Sequence, residues 1–158
     1  MNNKKFPRIY SLSTVGIRNH YNSDYRFHPF RTDFVGDSGV GKSIIADVLQ
    51  LILVGEREFK SATDSSSERE ARKLIIERYG YVFLNIAIDT DKFIVIGMYI
   101  SATSIDPFII QANIGLDVFE PLSSPLISED FMSGDEIIDI TNLPERMKES
   151  KQVYAVKL

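Results

Sequence analysis

The chain contains no cysteine, which excludes a disulfide framework, a thiolate metal site and a cysteine nucleophile. It has only two histidines, which argues against a zinc enzyme. No apolar run approaches the ~20 residues of a membrane span. The longest are Phe93–Ile100 and Ile44–Val54, and Asp47 and Gln50 interrupt the second. No apolar stretch follows Met1-Asn2-Asn3-Lys4-Lys5, where Pro7 and Arg8 stand instead. No signal peptide is expected, and a cytoplasmic location with no membrane association is the default reading. Disorder and a collagen-like chain are excluded by 44% hydrophobic and 25% charged residues, close to a globular average. At 158 residues the chain has the length of about one domain.

The net charge of −4 is unevenly placed. Residues 1–31 hold six basic residues (Lys4, Lys5, Arg8, Arg18, Arg26, Arg31) against Asp24 alone. Residues 117–150 hold nine acids against Arg146 and Lys148. Solvated surface accounts for both. The alternative for the basic part is that it faces phosphates, whereas the acidic, turn-rich segment 116–150 argues against a nucleic-acid surface there.

Ile9–Ile17 reads as a strand and Arg31–Val35 as a short second one. Lys42–Val54 reads as a helix with a broad apolar face (Ile44, Ile45, Val48, Leu49, Leu51, Ile52), stopped by Gly55. Ser61–Ser67 reads as a loop, and Glu68–Tyr79 as a second helix ended by Gly80. Three strands are expected at Tyr81–Asp89, Lys92–Ala102 and Phe108–Gly115, the first two joined by a tight turn at Asp89-Thr90-Asp91-Lys92. A short helix at Leu143–Glu149 and a last strand at Gln152–Val156 complete the pattern. The aromatics Tyr79, Tyr81, Phe83, Phe93 and Tyr99 are expected in the core and in cross-strand pairs.

One motif carries chemistry. Gly36-Asp37-Ser38-Gly39-Val40-Gly41-Lys42-Ser43 fits G-x-x-x-x-G-K-S/T without a mismatch, after a β-rich run and at the start of a helical pattern. Glycines let the backbone curl so that successive N–H groups face phosphate oxygens. The helix N-terminus adds partial positive charge. Lys42 is expected to reach the β- and γ-phosphates, and the Ser43 hydroxyl to ligate Mg²⁺. Asp37 and Ser38 are expected to contribute backbone N–H groups. The motif alone names neither the base nor hydrolysis.

The octapeptide resembles the P-loop of Rab-type small GTPases. That family also carries D-x-x-G and N-K-x-D. No Asp after Gly36 has a Gly three residues on, and Asn85, Asn113 and Asn142 are followed by Ile, Ile and Leu. A longer resemblance runs from Gly16-Ile17-Arg18-Asn19-His20-Tyr21 through the P-loop to Ile44-Ile45-Ala46-Asp47-Val48-Leu49-Gln50-Leu51-Ile52-Leu53-Val54-Gly55 and Phe59-Lys60-Ser61-Ala62. In this order the chain is similar to the N-terminal head lobe of SMC-like ATPases, of the MukB and Wadjet JetC kind. Local matches are good over residues 16–62. Ser38 and Val40 depart from the family's usual Asn and Ser or Ala, and His20 follows Asn19 without an intervening Trp.

The resemblance implies an α/β P-loop NTPase fold: part of an ABC/SMC-type head, with a mixed β-sheet and an antiparallel β subdomain. It implies ATP and Mg²⁺ as ligands, and a single nucleotide-binding domain over residues 1–158. That domain would be the N-terminal piece of a longer ATPase acting on DNA. The Walker B acid, the catalytic Glu and the signature motif would come from a C-terminal lobe or a second head, so binding without turnover is expected and no catalytic residue is assigned. Arg18, His20 and Tyr21 are candidates to flank the adenine or phosphates, with ordinary surface or strand packing as the alternative. Gln111 is a candidate for the Mg²⁺-contacting Q-loop residue, with a plain strand role favoured. Gln50 and His28 are assigned to packing and Asp89 to the hairpin. A self-contained small kinase, using Arg57, Arg69, Arg72 and Arg78 as a lid, and a non-enzymatic scaffold remain as alternatives.

Overall fold

The computed structural model describes residues 5–35, 41–55, 71–112, 120–143 and 154–157. The expected Ser61–Ser67 loop, residues 68–70 of the expected second helix, 113–115 of the expected strand and 144–149 of the expected short helix lie outside them.

Strands β1 (Arg8–Ile17), β2 (His20–Arg26), β3 (Tyr79–Asp89), β4 (Lys92–Ser101), β5 (Ile105–Gln111) and a last strand, Tyr154–Lys157, form one sheet. Its order is β2-β1-β3-β4-β5 followed by the last strand, and every pairing is antiparallel. Among the described residues the sheet is therefore not the mixed one expected: neighbours are joined by hairpins or return in the opposite sense. Two two-residue strands, β6 (Met132–Ser133) and β7 (Glu136–Ile137), make a separate hairpin, so the last strand is β8.

Period-two alternation in β3 sends Tyr81, Phe83 and Ala87 to one face, and Val82 and Leu84 to the other. Both faces are covered, which explains a nearly continuous apolar strand in an antiparallel sheet. Helix α1 (Lys42–Val54) lies over one face, packing Ile44, Ile45, Val48, Leu51 and Ile52 on Leu12, Val82, Leu84, Met98 and Ile100. The helix has the expected bounds, and Gly55 ends it by donating its N–H to the Leu51 carbonyl. Residues 122–143 cover the other face through Leu122, Leu126, Phe131, Ile137, Ile138 and Leu143. The ring of Phe131 stacks on Phe83 with centroids 4.4 Å apart. The expected core aromatics Tyr81, Phe83, Phe93 and Tyr99 are buried there, with Tyr79 half-buried against them.

Two further expectations are corrected. Residues 31–35 are not a strand: the second strand is β2, reached through a two-residue turn at Arg18-Asn19 in which Asn19 takes φ 61°. The expected helix over 68–79 is, in its described part, a 3₁₀ turn at Ala71–Leu74 leading into β3. Tertiary hydrogen bonds take the backbone groups a helix would use. The Leu74 carbonyl accepts from Arg18 N–H at 2.8 Å, and Ile76 N–H donates to the Gly16 carbonyl at 3.1 Å.

Candidate functional site

Among the described residues, the motif contributes Gly41, Lys42 and Ser43; Gly36, Asp37, Ser38, Gly39 and Val40 lie outside them. Gly41 is the residue before α1 and takes φ 91° and ψ 15°, a left-handed conformation that an L side chain rarely adopts. A Cβ at this position would also stand 2.6 Å from His20 Nε2 and 2.9 Å from Asn19 Cβ. The glycine is thus required twice, for its dihedral and for the close approach of the β1–β2 turn.

Among the described residues, no side chain caps α1. The first turn of any α-helix leaves amides without an intrahelical acceptor, and the partial positive charge gathered there suits an anion. Lys42 and Ser43 stand at that turn with exposed side chains. If a polyphosphate with a bound cation occupied this turn, Lys42 would supply charge to the phosphates and Ser43 an oxygen ligand to the cation.

His20 is the residue the fold adds to the motif. It is 9% exposed, and its Nε2 lies 2.8 Å from the Gly41 carbonyl oxygen. That oxygen can only accept, so Nε2 carries the proton, and in the neutral ring Nδ1 then accepts from the Tyr25 hydroxyl. The His20 carbonyl accepts in turn from Thr14 Oγ1. Tyr25 also meets Phe34 edge-on, with ring centroids 5.6 Å apart, and Phe34 meets Phe27 at 5.9 Å. β2 therefore touches Phe34, before the motif, and Gly41, within it.

The remaining candidates separate. Arg18 sits exposed in the turn next to Asn19 and His20, with its backbone N–H held by Leu74. Tyr21 is drawn elsewhere: its hydroxyl donates to Glu77 at 2.8 Å, and that bond raises the hydroxyl pKa. It lines an acidic hollow with Glu77, Glu129 and Asp135, surroundings that repel phosphate. Gln111 is a buried residue of β5 in register with Tyr154. Gln50 is half-buried on α1. His28 is exposed in a turn, where its Nδ1 accepts from Phe30 N–H at 3.2 Å. Asp89 ends β3 and accepts from Thr90 N–H at 2.7 Å, the hairpin role expected of it. Arg57 and Arg69 lie outside the described residues, and Arg78 is exposed just before β3.

Among the described residues, no group of three His, Asp or Glu side chains could hold a metal, and no helix is long and apolar enough to cross a membrane. No protein-family model matches the chain, and no curated protein is similar enough to count as a relative.

Proposed function

We propose that the chain is the ATP-binding N-terminal lobe of an SMC-like ATPase that acts on DNA in the cytoplasm. It binds Mg·ATP and is completed for hydrolysis by a C-terminal lobe or a second head. The observation that carries this reading is the unbroken Gly36–Ser43 motif, whose last glycine takes a left-handed conformation at the start of α1. In this reading the start of α1, with exposed Lys42 and Ser43 beside it, takes the phosphate end of a nucleotide.

The resemblance over residues 16–62 supplies the family, and β3, β4 and β5, the antiparallel strands that follow residue 78, suit the β subdomain of such a head. Exposed apolar side chains stand before the motif, at Phe30 (72% exposed) and Val35 (88%), and at the far end of α1, at Leu53 and Val54. A second lobe would give them a place to be buried. In this reading ATP joins heads and hydrolysis, once the other lobe brings the Walker B acid and catalytic Glu, separates them.

The test is a thermal shift series with Mg·ATP, Mg·GTP and Mg·ADP alongside a turnover assay. Stabilisation by Mg·ATP with no turnover supports the reading. Turnover by the isolated chain favours a self-contained enzyme, and no shift with any nucleotide removes the proposal.

A further inference from the structure

We propose that His20 is a positioning residue for phosphate binding. Its imidazole holds the Gly41–Lys42 peptide so that the Lys42 N–H is aimed out of the fold. The inference rests on the nucleotide reading above and adds to it a residue that lies outside the motif.

The peptide unit is planar. In a trans peptide the carbonyl of one residue and the N–H of the next point in opposite directions. Whatever fixes the Gly41 carbonyl therefore fixes the direction of the Lys42 N–H. Three donors meet that carbonyl: Ile45 N at 3.4 Å, Ile44 N at 3.1 Å and His20 Nε2 at 2.8 Å. The two helical bonds are long, as is common where a carbonyl is shared at a helix end. The histidine bond is the shortest and comes from a buried ring, so His20 is the firmest restraint on the peptide.

The ring is itself restrained. Nδ1 is engaged by the Tyr25 hydroxyl, the ring lies edge-on to Tyr25 with centroids 5.6 Å apart, and the His20 backbone is tied to Thr14. Tyr25 in turn packs against Phe34, two residues before Gly36. Gly41 and Phe34 are thus both held by one pair of side chains on β2. A Lys42 amide held in this way loses less freedom when it binds phosphate, which is the energetic benefit of preorganisation.

The test compares two variants that separate ring shape from hydrogen bonding. His20→Phe keeps an aromatic ring beside Tyr25 and removes the donor. His20→Gln removes the ring and keeps an N–H donor near the position of Nε2. Mg·ATP affinity is measured by titration calorimetry, thermal stability by calorimetry, and the Lys42 amide by ¹⁵N–¹H resonance in nucleotide-free protein.

The expected result is about a tenfold loss of affinity for His20→Phe, the equivalent of one ordinary hydrogen bond. For His20→Gln the change stays within about threefold, even if it is the less stable of the two. The Lys42 amide resonance should move in the Phe variant more than in the Gln variant. A merely structural role predicts the reverse, with affinity following thermal stability. Wild-type affinity in His20→Phe, or equal losses in both variants, would overturn the positioning role while leaving the nucleotide reading intact. Absence of Mg·ATP binding in the wild-type chain would instead overturn the nucleotide reading, and this inference with it.

Discussion

Asn85 and Leu126 exchange two hydrogen bonds across 41 residues of sequence: the Asn85 side-chain amide donates to the Leu126 carbonyl at 2.8 Å, and Leu126 N–H donates to Asn85 Oδ1 at 2.9 Å. The side chain behaves as one more rung of a ladder. It is fully buried, and its amide also donates to Ser11 Oγ at 2.8 Å. Close by, both Asp24 carboxylate oxygens are bonded by Ser128, one by its N–H at 2.9 Å and the other by its hydroxyl at 2.8 Å. These polar contacts hold residues 126–128 over a sheet face that would otherwise meet water.

Replacing Asn85 with Leu should therefore cost stability despite the similar size. The Leu126 N–H and carbonyl would both be buried without partners, at about 1–3 kcal/mol for such a group. A loss of about 2–4 kcal/mol is expected, read as a lower urea midpoint. An unchanged midpoint would show that the 120–143 segment is not held by this side chain.

Tyr81 gives a pH prediction. Burial is the largest cause of a strongly raised hydroxyl pKa, and the hydroxyl donates to the Ile138 carbonyl. Burial likewise pushes Tyr99 up to about 12. The folded chain keeps these protons where the unfolded chain, with tyrosines near pH 10, releases them. The stability they contribute is fully present below about pH 10 and declines as the pH rises above it. Tyr81→Phe should flatten this alkaline decline by about one proton in the slope of unfolding free energy against pH. At neutral pH it should cost about 1–2 kcal/mol for the lost bond to Ile138.

Gly97 faces Phe83 on one side and Phe108 on the other. A Cβ there would lie 2.4 Å from the Val82 carbonyl oxygen, 2.6 Å from Phe83 Cβ and 2.7 Å from Phe108 Cζ. Two of these neighbours are backbone or Cβ atoms that move only with their strand. Gly97→Ala is expected to lower stability by about 1–3 kcal/mol, the usual cost of overpacking a core. Thermal melts check this, and a melting temperature equal to wild type would contradict the packing described.

Much of this fold is legible in the order of the amino acids alone. α1 has an apolar face at helical spacing and a glycine stop, and β3 and β4 are long, β-rich and joined at Asp89–Lys92. What sequence conceals is set by tertiary contacts. β2 reads His20-Tyr21-Asn22-Ser23-Asp24-Tyr25-Arg26, a polar edge strand without an apolar stripe, so nothing local marks it. The helical pattern before Tyr79 yields because β1 and the turn after it claim the backbone of Leu74 and Ile76. The motif's chemistry is written in consecutive residues. The hold of His20 on Gly41 spans 21 positions and becomes visible only when the β1–β2 turn folds against the helix start.

The central claim is that Lys42, at the start of α1, secures a nucleotide polyphosphate. Titration calorimetry of Mg·ATP into the wild-type chain and into Lys42→Ala tests it most directly. The account predicts saturable binding in the first and none in the second, with a cooperative melt of each showing that both are folded. Equal affinity in the two proteins would contradict it.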